Sequence, residues 1–89
     1  MVMAMKHAGD EALDQFEGLL IELRTIDGLR EKRPGVFYYR AKAQLHFHED
    51  DAGLYADLRQ SDGFVRFPVN TADERTLVVT LLRRNVAGG

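Results

Sequence analysis

Residues 41–48 read Ala-Lys-Ala-Gln-Leu-His-Phe-His, and apolar and polar residues alternate along them without interruption. A period of two is typical of a strand that has one buried face and one face in water. The odd-numbered apolar residues are therefore predicted to face the core: Ala43, Leu45 and Phe47. The same alternation places His46 and His48 beside each other on the exposed face.

Short connectors separate this strand from three other strand-like runs. The four runs span 36–40, 41–48, 54–59 and 64–69. Asp62-Gly63, between the last two, is a typical hairpin signal. Ahead of the runs, 29–35 is interpreted as a basic connector that ends in the turn signal Pro34-Gly35. The short spacing favours an antiparallel meander of four strands.

An amphipathic helix is predicted before the strands. Its apolar residues recur at three- and four-residue steps: Leu13, Phe16, Leu19, Leu20, Leu23 and Ile26. Asp10 fits the N-cap position, and Gly28 suits the left-handed conformation that often follows a helix. Gly18, inside the helix, is interpreted as a point of close packing against a strand.

A second helix is predicted after the strands. Thr71 and Glu74 have the spacing of a capping box. The apolar stripe that follows consists of Leu77, Val78, Leu81 and Leu82. The β-branched run 78–80 leaves a strand as the alternative for this segment. The cap and the four-residue spacing favour the helix.

The order helix, four strands, helix predicts an α+β fold. Both helices are amphipathic and the sheet has one apolar face, so we expect a two-layer sandwich with both helices on one face of the sheet. Residues 1–9 show no period and are interpreted as a disordered tail. Residues 10–89 are predicted to form a single domain.

Parity across the hairpins aligns polar residues on the face away from the helices. Facing residues on neighbouring strands point to the same side, so His46 lies opposite either Asp57 or Tyr55. Arg66 is expected opposite Asp57, because the next register would pair it with Arg59. We therefore predict a row His46–Asp57–Arg66 across three strands.

This open face is the predicted functional surface. A turn at Ala41-Lys42 would add two aromatic residues of the first strand to it. The predicted binding-face residues are Phe37, Tyr39, His46, His48, Tyr55, Asp57, Arg59 and Arg66. With Phe64, its aromatic area predicts a homodimer formed through this face. A different protein partner or a small-molecule ligand is the competing occupant.

His46 and His48 are also candidate metal ligands, with Asp57 or Glu49 completing the set. His46 beside Asp57 could alternatively act as a general base, and an ordinary solvated face is the third interpretation. The sequence contains no phosphate-binding glycine loop and no nucleophile placed beside the histidines. The leading hypothesis is a binding module without a cofactor. The alternative is a small metal- or histidine-dependent enzyme that uses His46, His48 and Asp57.

Composition narrows the remaining classes. The 89 residues carry a formal net charge of −2, which disfavours nucleic acid as a partner. There is no cysteine, so disulfides and thiolate metal sites are excluded. No apolar run approaches the length of a membrane span, and the N-terminal residues lack the pattern of a signal peptide. A cytoplasmic location is the expectation.

A resemblance adds an expectation about origin. The stretches Leu45-His46-Phe47-His48-Glu49-Asp50 and Gly53-Leu54-Tyr55-Ala56-Asp57 resemble the signature of short bacterial proteins of unknown function. The similarity extends from Leu20 to Val86 and implies a bacterial cytosolic protein. The helix–strands–helix layout is also similar to that of the MmcQ/YjbR group. Neither resemblance implies an activity or a functional residue.

Overall fold

Along the sequence, the chain forms a helix, a five-stranded antiparallel sheet and a second helix. The computed structural model describes the backbone of residues 10–88 and the side chains of residues 16–88. The elements are α1 (Asp10–Arg24), β1 (Leu29–Arg33), β2 (Val36–Tyr39), β3 (Lys42–Asp50), β4 (Gly53–Gln60), β5 (Gly63–Pro68) and α2 (Ala72–Gly88). Strands neighbouring in sequence are neighbours in the sheet. The predicted α+β class and helix–sheet–helix order are confirmed. The predicted tail, residues 1–9, lies outside the described residues.

The segment interpreted as a basic connector is instead the edge strand β1, so the sheet has five strands. Its Leu29 and Glu31 pair with Tyr39 and Phe37 of β2. The alternation of apolar and polar residues in this segment was hidden, because Glu31 occupies a position that faces the core. Glu31 is accommodated there by Arg24 of α1, whose Nε lies 2.6 Å from Glu31 Oε1. A charged edge strand also discourages pairing with other chains.

The core lies between the sheet and both helices, which cover the same face. Buried apolar side chains of the two helices, of β2, β3 and β4, and of the segments that follow α1 and β5 form one cluster: Phe16, Leu19, Leu20, Leu23, Ile26, Phe37, Leu45, Phe47, Leu54, Ala56, Leu58, Val69, Val78, Val79 and Leu82. The ring of Phe47 on β3 is in edge contact with that of Phe16 on α1, with centroids 5.2 Å apart. The predicted burial of Leu45 and Phe47 is confirmed.

Three details of the predicted packing are wrong. Gly18 is exposed, and a Cβ there would meet nothing within 4 Å, so it marks no close approach. On α2 the stripe includes Val79 rather than Leu77, which is 48% exposed. Alternation along the last strand, with Arg66 on the open face, predicts Val65 in the core. It is instead 45% exposed, because β5 is the edge strand of the sheet.

The start of α2 is fixed by the predicted capping box. The amide of Glu74 donates to Thr71 Oγ1 at 3.2 Å, and the amide of Thr71 donates to Glu74 Oε1 at 3.0 Å. The preceding residue, Asn70, pairs with the backbone of Leu54 on β4, accepting from its amide at 2.9 Å and donating to its carbonyl at 3.1 Å. The helix is thereby joined to the sheet at its first turn.

The β2–β3 hairpin differs from the predicted one. Its two-residue turn is Arg40-Ala41, and both residues have positive φ, 52° and 69°. The register then shifts by one residue, because Tyr38 pairs with Ala43 whereas Phe37 pairs with Leu45. Gln44 is the extra residue, so β3 carries a bulge. The alternation of 41–48 is therefore interrupted in space although it is unbroken in sequence.

The bulge changes the faces of several residues. Gln44, predicted on the open face, lies on the helix side and is only 6% exposed. Ala43, predicted in the core, shares the open side with Tyr38. Phe37, predicted on the open face, is 1% exposed at the centre of the core.

Replacement of a buried α2 leucine is expected to destabilise the fold far more than that of an exposed one. Leu82→Ala should lower the free energy of unfolding by about 2–5 kcal/mol, because the cavity opens in a single small core. Leu77→Ala, in the same helix, should change it by less than about 0.5 kcal/mol. Urea unfolding followed by circular dichroism measures both. Equal losses would contradict the orientation of α2.

The Arg40-Ala41 turn is expected to store backbone strain. Turns with two positive φ values favour glycine, and an L-residue in this conformation costs about 1–2 kcal/mol. Ala41→Gly should therefore raise the free energy of unfolding by about 1 kcal/mol, measured in the same urea titration. Lower stability in this variant would mean that the turn has another geometry.

Candidate functional site

The open face of the sheet is organised around one row of facing residues. His46 on β3 pairs with Val36 on β2 and with Asp57 on β4, and Asp57 pairs with Arg66 on β5. The predicted row His46–Asp57–Arg66 and its register are therefore confirmed. The row reaches β1, where Arg33 pairs with Val36.

Asp57 and Arg66 form the strongest interaction on this face. Arg66 donates from Nε to Asp57 Oδ1 at 2.8 Å and from a terminal nitrogen to Oδ2 at 3.0 Å, a bidentate geometry. This hydrogen bonding lowers the pKa of the half-buried Asp57 carboxyl, although desolvation partly opposes it, and the nearby His48 and His46 add a smaller lowering effect. His46 Nδ1 lies 3.9 Å from Asp57 Oδ2, beyond hydrogen-bonding distance.

The two histidines are close but do not converge with a third ligand. Their ring centroids are 5.8 Å apart and the rings are tilted by 56°. In the part of the chain that the structure describes, no group of three or more histidine, cysteine, aspartate or glutamate side chains is placed to hold a metal ion. The carboxylate of Asp57 is already engaged by Arg66. A metal site at His46 and His48 stays a prediction without added geometric support.

Cationic side chains stack on two aromatic rings of the open face. Lys32 Nζ lies 4.8 Å from the ring centroid of Tyr38, and the guanidinium carbon of Arg59 lies 4.9 Å from that of Phe64. Arg59 also donates from Nε to the carbonyl of Ala43 at 2.6 Å, which ties β4 to β3 across the bulge. These contacts fix the cations against the sheet and cover part of the aromatic surface.

The structure brings six of the eight predicted binding-face residues together and separates the other two. His46, His48, Tyr55, Asp57, Arg59 and Arg66 share the open face by register and strand alternation. Phe37 is in the core, and Tyr39 is on the helix side, where its ring packs against Gly28 at the end of the turn that follows α1. Tyr38 occupies the aromatic position that was assigned to them.

Sequence reasoning missed the contribution of β1. Arg30 pairs with Tyr38, and Lys32 stacks on the same ring. A period of two, with Arg30 and Lys32 on one side of the segment and Leu29 and Glu31 on the other, is the signal that could have revealed this strand. The signal is weak because Leu29 is the one apolar residue on the core side.

The open face is electropositive although the chain is acidic overall. Among residues 10–88, five cationic side chains lie on it: Arg30, Lys32, Arg33, Arg59 and Arg66. The same register places two carboxylates there, Asp50 and Asp57. The formal net charge of the whole chain is −2. The other acidic residues lie elsewhere, on α1, in the first turn of α2, on the helix side of the sheet and in the loops.

Comparison with family models, curated proteins and solved structures finds no match to this chain. The resemblance to short bacterial proteins stays a prediction, and functional inference rests on the geometry of the site. Neither α1 nor α2 is long and apolar enough to cross a membrane, as far as the described residues extend.

Removal of the Arg66 guanidinium is expected to raise the pKa of Asp57. Because the folded-state pKa is lowered, the Asp57–Arg66 pair stabilises the fold above the ordinary carboxyl range, and this contribution is lost as pH falls through the lowered pKa. Arg66→Gln should return the Asp57 pKa toward its ordinary value and flatten the acid side of the stability profile. Carboxyl ¹³C NMR titration measures the pKa.

Arg83→Gln is the matched control for this prediction. The Arg83 side chain is exposed to a similar extent, 51% against 49% for Arg66, and lies on α2 near Glu22. It should leave the Asp57 titration unchanged. An Asp57 pKa that is insensitive to Arg66→Gln would contradict the assigned pairing.

Proposed function

We propose that this chain is a binding module whose open sheet face docks an acidic surface of a partner protein. The observation that carries the proposal is the excess of cationic side chains on this face of an otherwise acidic chain. Complementary charge steers association and selects partners of the opposite sign. Arginine and tyrosine are also residues that protein interfaces favour.

The stacking of cations on the rings favours a protein partner over single-stranded nucleic acid. Nucleic-acid platforms use aromatic faces on which bases stack. Here the rings of Tyr38 and Phe64 each already carry a cation, from Lys32 and Arg59. Asp57 also introduces a negative charge at the centre of the face. These features suit separate acidic contacts better than a continuous phosphate track.

A second copy of the chain is the competing occupant. The homodimer prediction rests on the aromatic area of the face, and that area now lacks Phe37 and Tyr39. A two-fold, face-to-face dimer would bring two surfaces with an excess of positive charge together, which costs energy. Charge thus supports a heterologous acidic partner more than self-association through this face.

The proposal predicts that a short poly-glutamate peptide binds the open face at low salt. Amide shifts in ¹⁵N NMR spectra should concentrate on β1, β4 and β5, around Arg30, Arg59 and Arg66. Each charge reversal, Arg30→Glu or Arg66→Glu, should weaken affinity by about tenfold, since about 1.4 kcal/mol corresponds to that factor. Added salt should weaken binding as well, because exposed charges are screened.

Arg83→Glu serves as the control, since Arg83 is equally exposed but lies on α2 at the opposite side of the sheet. It should bind poly-glutamate as the parent chain does. Equal loss in all three variants would refute docking at the open face. Preference for a single-stranded oligonucleotide of equal charge would replace the protein partner with nucleic acid. A doubled solution mass abolished by Arg66→Glu would replace it with a second copy.

A further inference from the structure

A cleft on the helix side of the sheet is separate from the open face. It lies between the last turns of α2, the β2–β3 hairpin and the β4–β5 hairpin, and has a volume of about 620 Å³. The residues used below all contribute to its lining: Tyr39, Arg40, Lys42, Gln44, Arg59, Gln60, Arg84 and Asn85. Clefts of this size accommodate small organic molecules rather than single ions.

An amide network forms the inner wall of the cleft. Asn85 Nδ2 donates to the carbonyl of Arg59 at 2.8 Å and to Gln44 Oε1 at 3.4 Å. The backbone carbonyl can only accept, so it fixes the orientation of the Asn85 amide, and this in turn fixes Oε1 as the atom of Gln44 that faces Asn85. A glutamine buried to this extent, 6% exposed, is held in place by these contacts.

Gln60 adds a hydrogen-bond donor that the fold does not use. Its Nε2 atom is buried and has no hydrogen-bond partner among the described residues. An unpaired buried donor destabilises a protein, so its presence beside a cleft calls for an explanation. The terminal torsion of glutamine is broad, and its rotation can present Nε2 to an acceptor in the cleft.

The rim of the cleft is cationic. Lys42, at the start of β3, and Arg84, near the end of α2, contribute an ammonium and a guanidinium group. Arg40, in the strained turn, lies beside them and stacks on the Tyr39 ring at 5.1 Å. Groups of this kind hold carboxylates and phosphates through charge-assisted hydrogen bonds.

We propose that this cleft binds a small organic anion. Its carboxylate or phosphate group lies against Lys42 and Arg84, and an acceptor atom of the ligand accepts a hydrogen bond from Gln60 Nε2. Gln44 and Asn85 keep the wall rigid. The ligand contacts lie on the opposite side of the sheet from the docking face. Arg59 belongs to both regions, but none of the side chains that contact the anion is proposed to bind the acidic protein partner.

Citrate and adenosine monophosphate are the probes, one for each anion chemistry, with inorganic phosphate as the third. We expect saturable NMR shifts of the Gln60 side-chain amide and of the Lys42 and Arg84 backbone amides with citrate or the nucleotide. The responding probe identifies the anionic group. Arg84→Ala should weaken binding about tenfold or more, whereas Arg83→Ala, one position away on the exposed helix surface, should leave it unchanged.

The variant Gln60→Leu distinguishes a loss of ligand binding from a loss of fold stability. Removal of an unpaired buried donor should leave the melting temperature unchanged or higher, while ligand-induced shifts weaken at least severalfold. A lower melting temperature would mean that Gln60 has a structural partner, and it would overturn the proposal. So would the absence of saturable shifts with all three probes, or equal weakening by Arg84→Ala and Arg83→Ala.

Discussion

The contacts of the Asn85 amide join α2 to the bulge at which the faces of the β2 residues change. Asn85 reaches from α2 to the carbonyl of Arg59 on β4 and to the side chain of Gln44 on β3. Gln44 is the bulged residue, and its polar side chain needs a partner once it turns toward the helices. By satisfying it, Asn85 stabilises a bulge that moves Phe37 into the core and Tyr38 onto the open face. The faces of Phe37 and Tyr38 follow from this bulge together with the turn beside it.

The register of β3, β4 and β5 could be predicted from the sequence because the pairing of charges and the alternation of apolar residues there favour the same register. Leu45, Phe47, Leu54, Ala56 and Leu58 alternate with polar residues, and only one register pairs Asp57 with Arg66. β2 offered no such agreement. Val36, Phe37, Tyr38 and Tyr39 are all apolar or aromatic, so their faces depend on the turn. The turn carries arginine and alanine at positive φ, where glycine or asparagine is the usual signal.

The electropositive face could not be predicted from the net charge of the chain. Net charge sums all residues and does not show how positive and negative side chains are distributed between the two sides of the sheet. Arg30, Lys32 and Arg33 were assigned to a connector, and only their place in β1 brings them alongside Arg59 and Arg66. Glu31 is the residue that concealed the strand. The register with Phe37 places Glu31 on the helix side, where its carboxylate accepts hydrogen bonds from Arg24 and, at 2.9 Å, from the amide of Gly35. The hydrogen bond from Arg24 lowers the Glu31 pKa and keeps it ionised on the helix side.

A domain of this size can cover only one face of its sheet with helices, so the other face must stay soluble while it is exposed to water. Exposed aromatic residues on an uncovered sheet would normally favour aggregation. In this chain the cations of Lys32 and Arg59 lie on the rings of Tyr38 and Phe64, and the apolar parts of their side chains cover aromatic surface while the charge stays hydrated. Two copies of this face would each present positive charge to the other, which opposes their association. The excess of positive charge that disfavours contact between two copies of this face is also the property on which the proposed docking to an acidic surface depends.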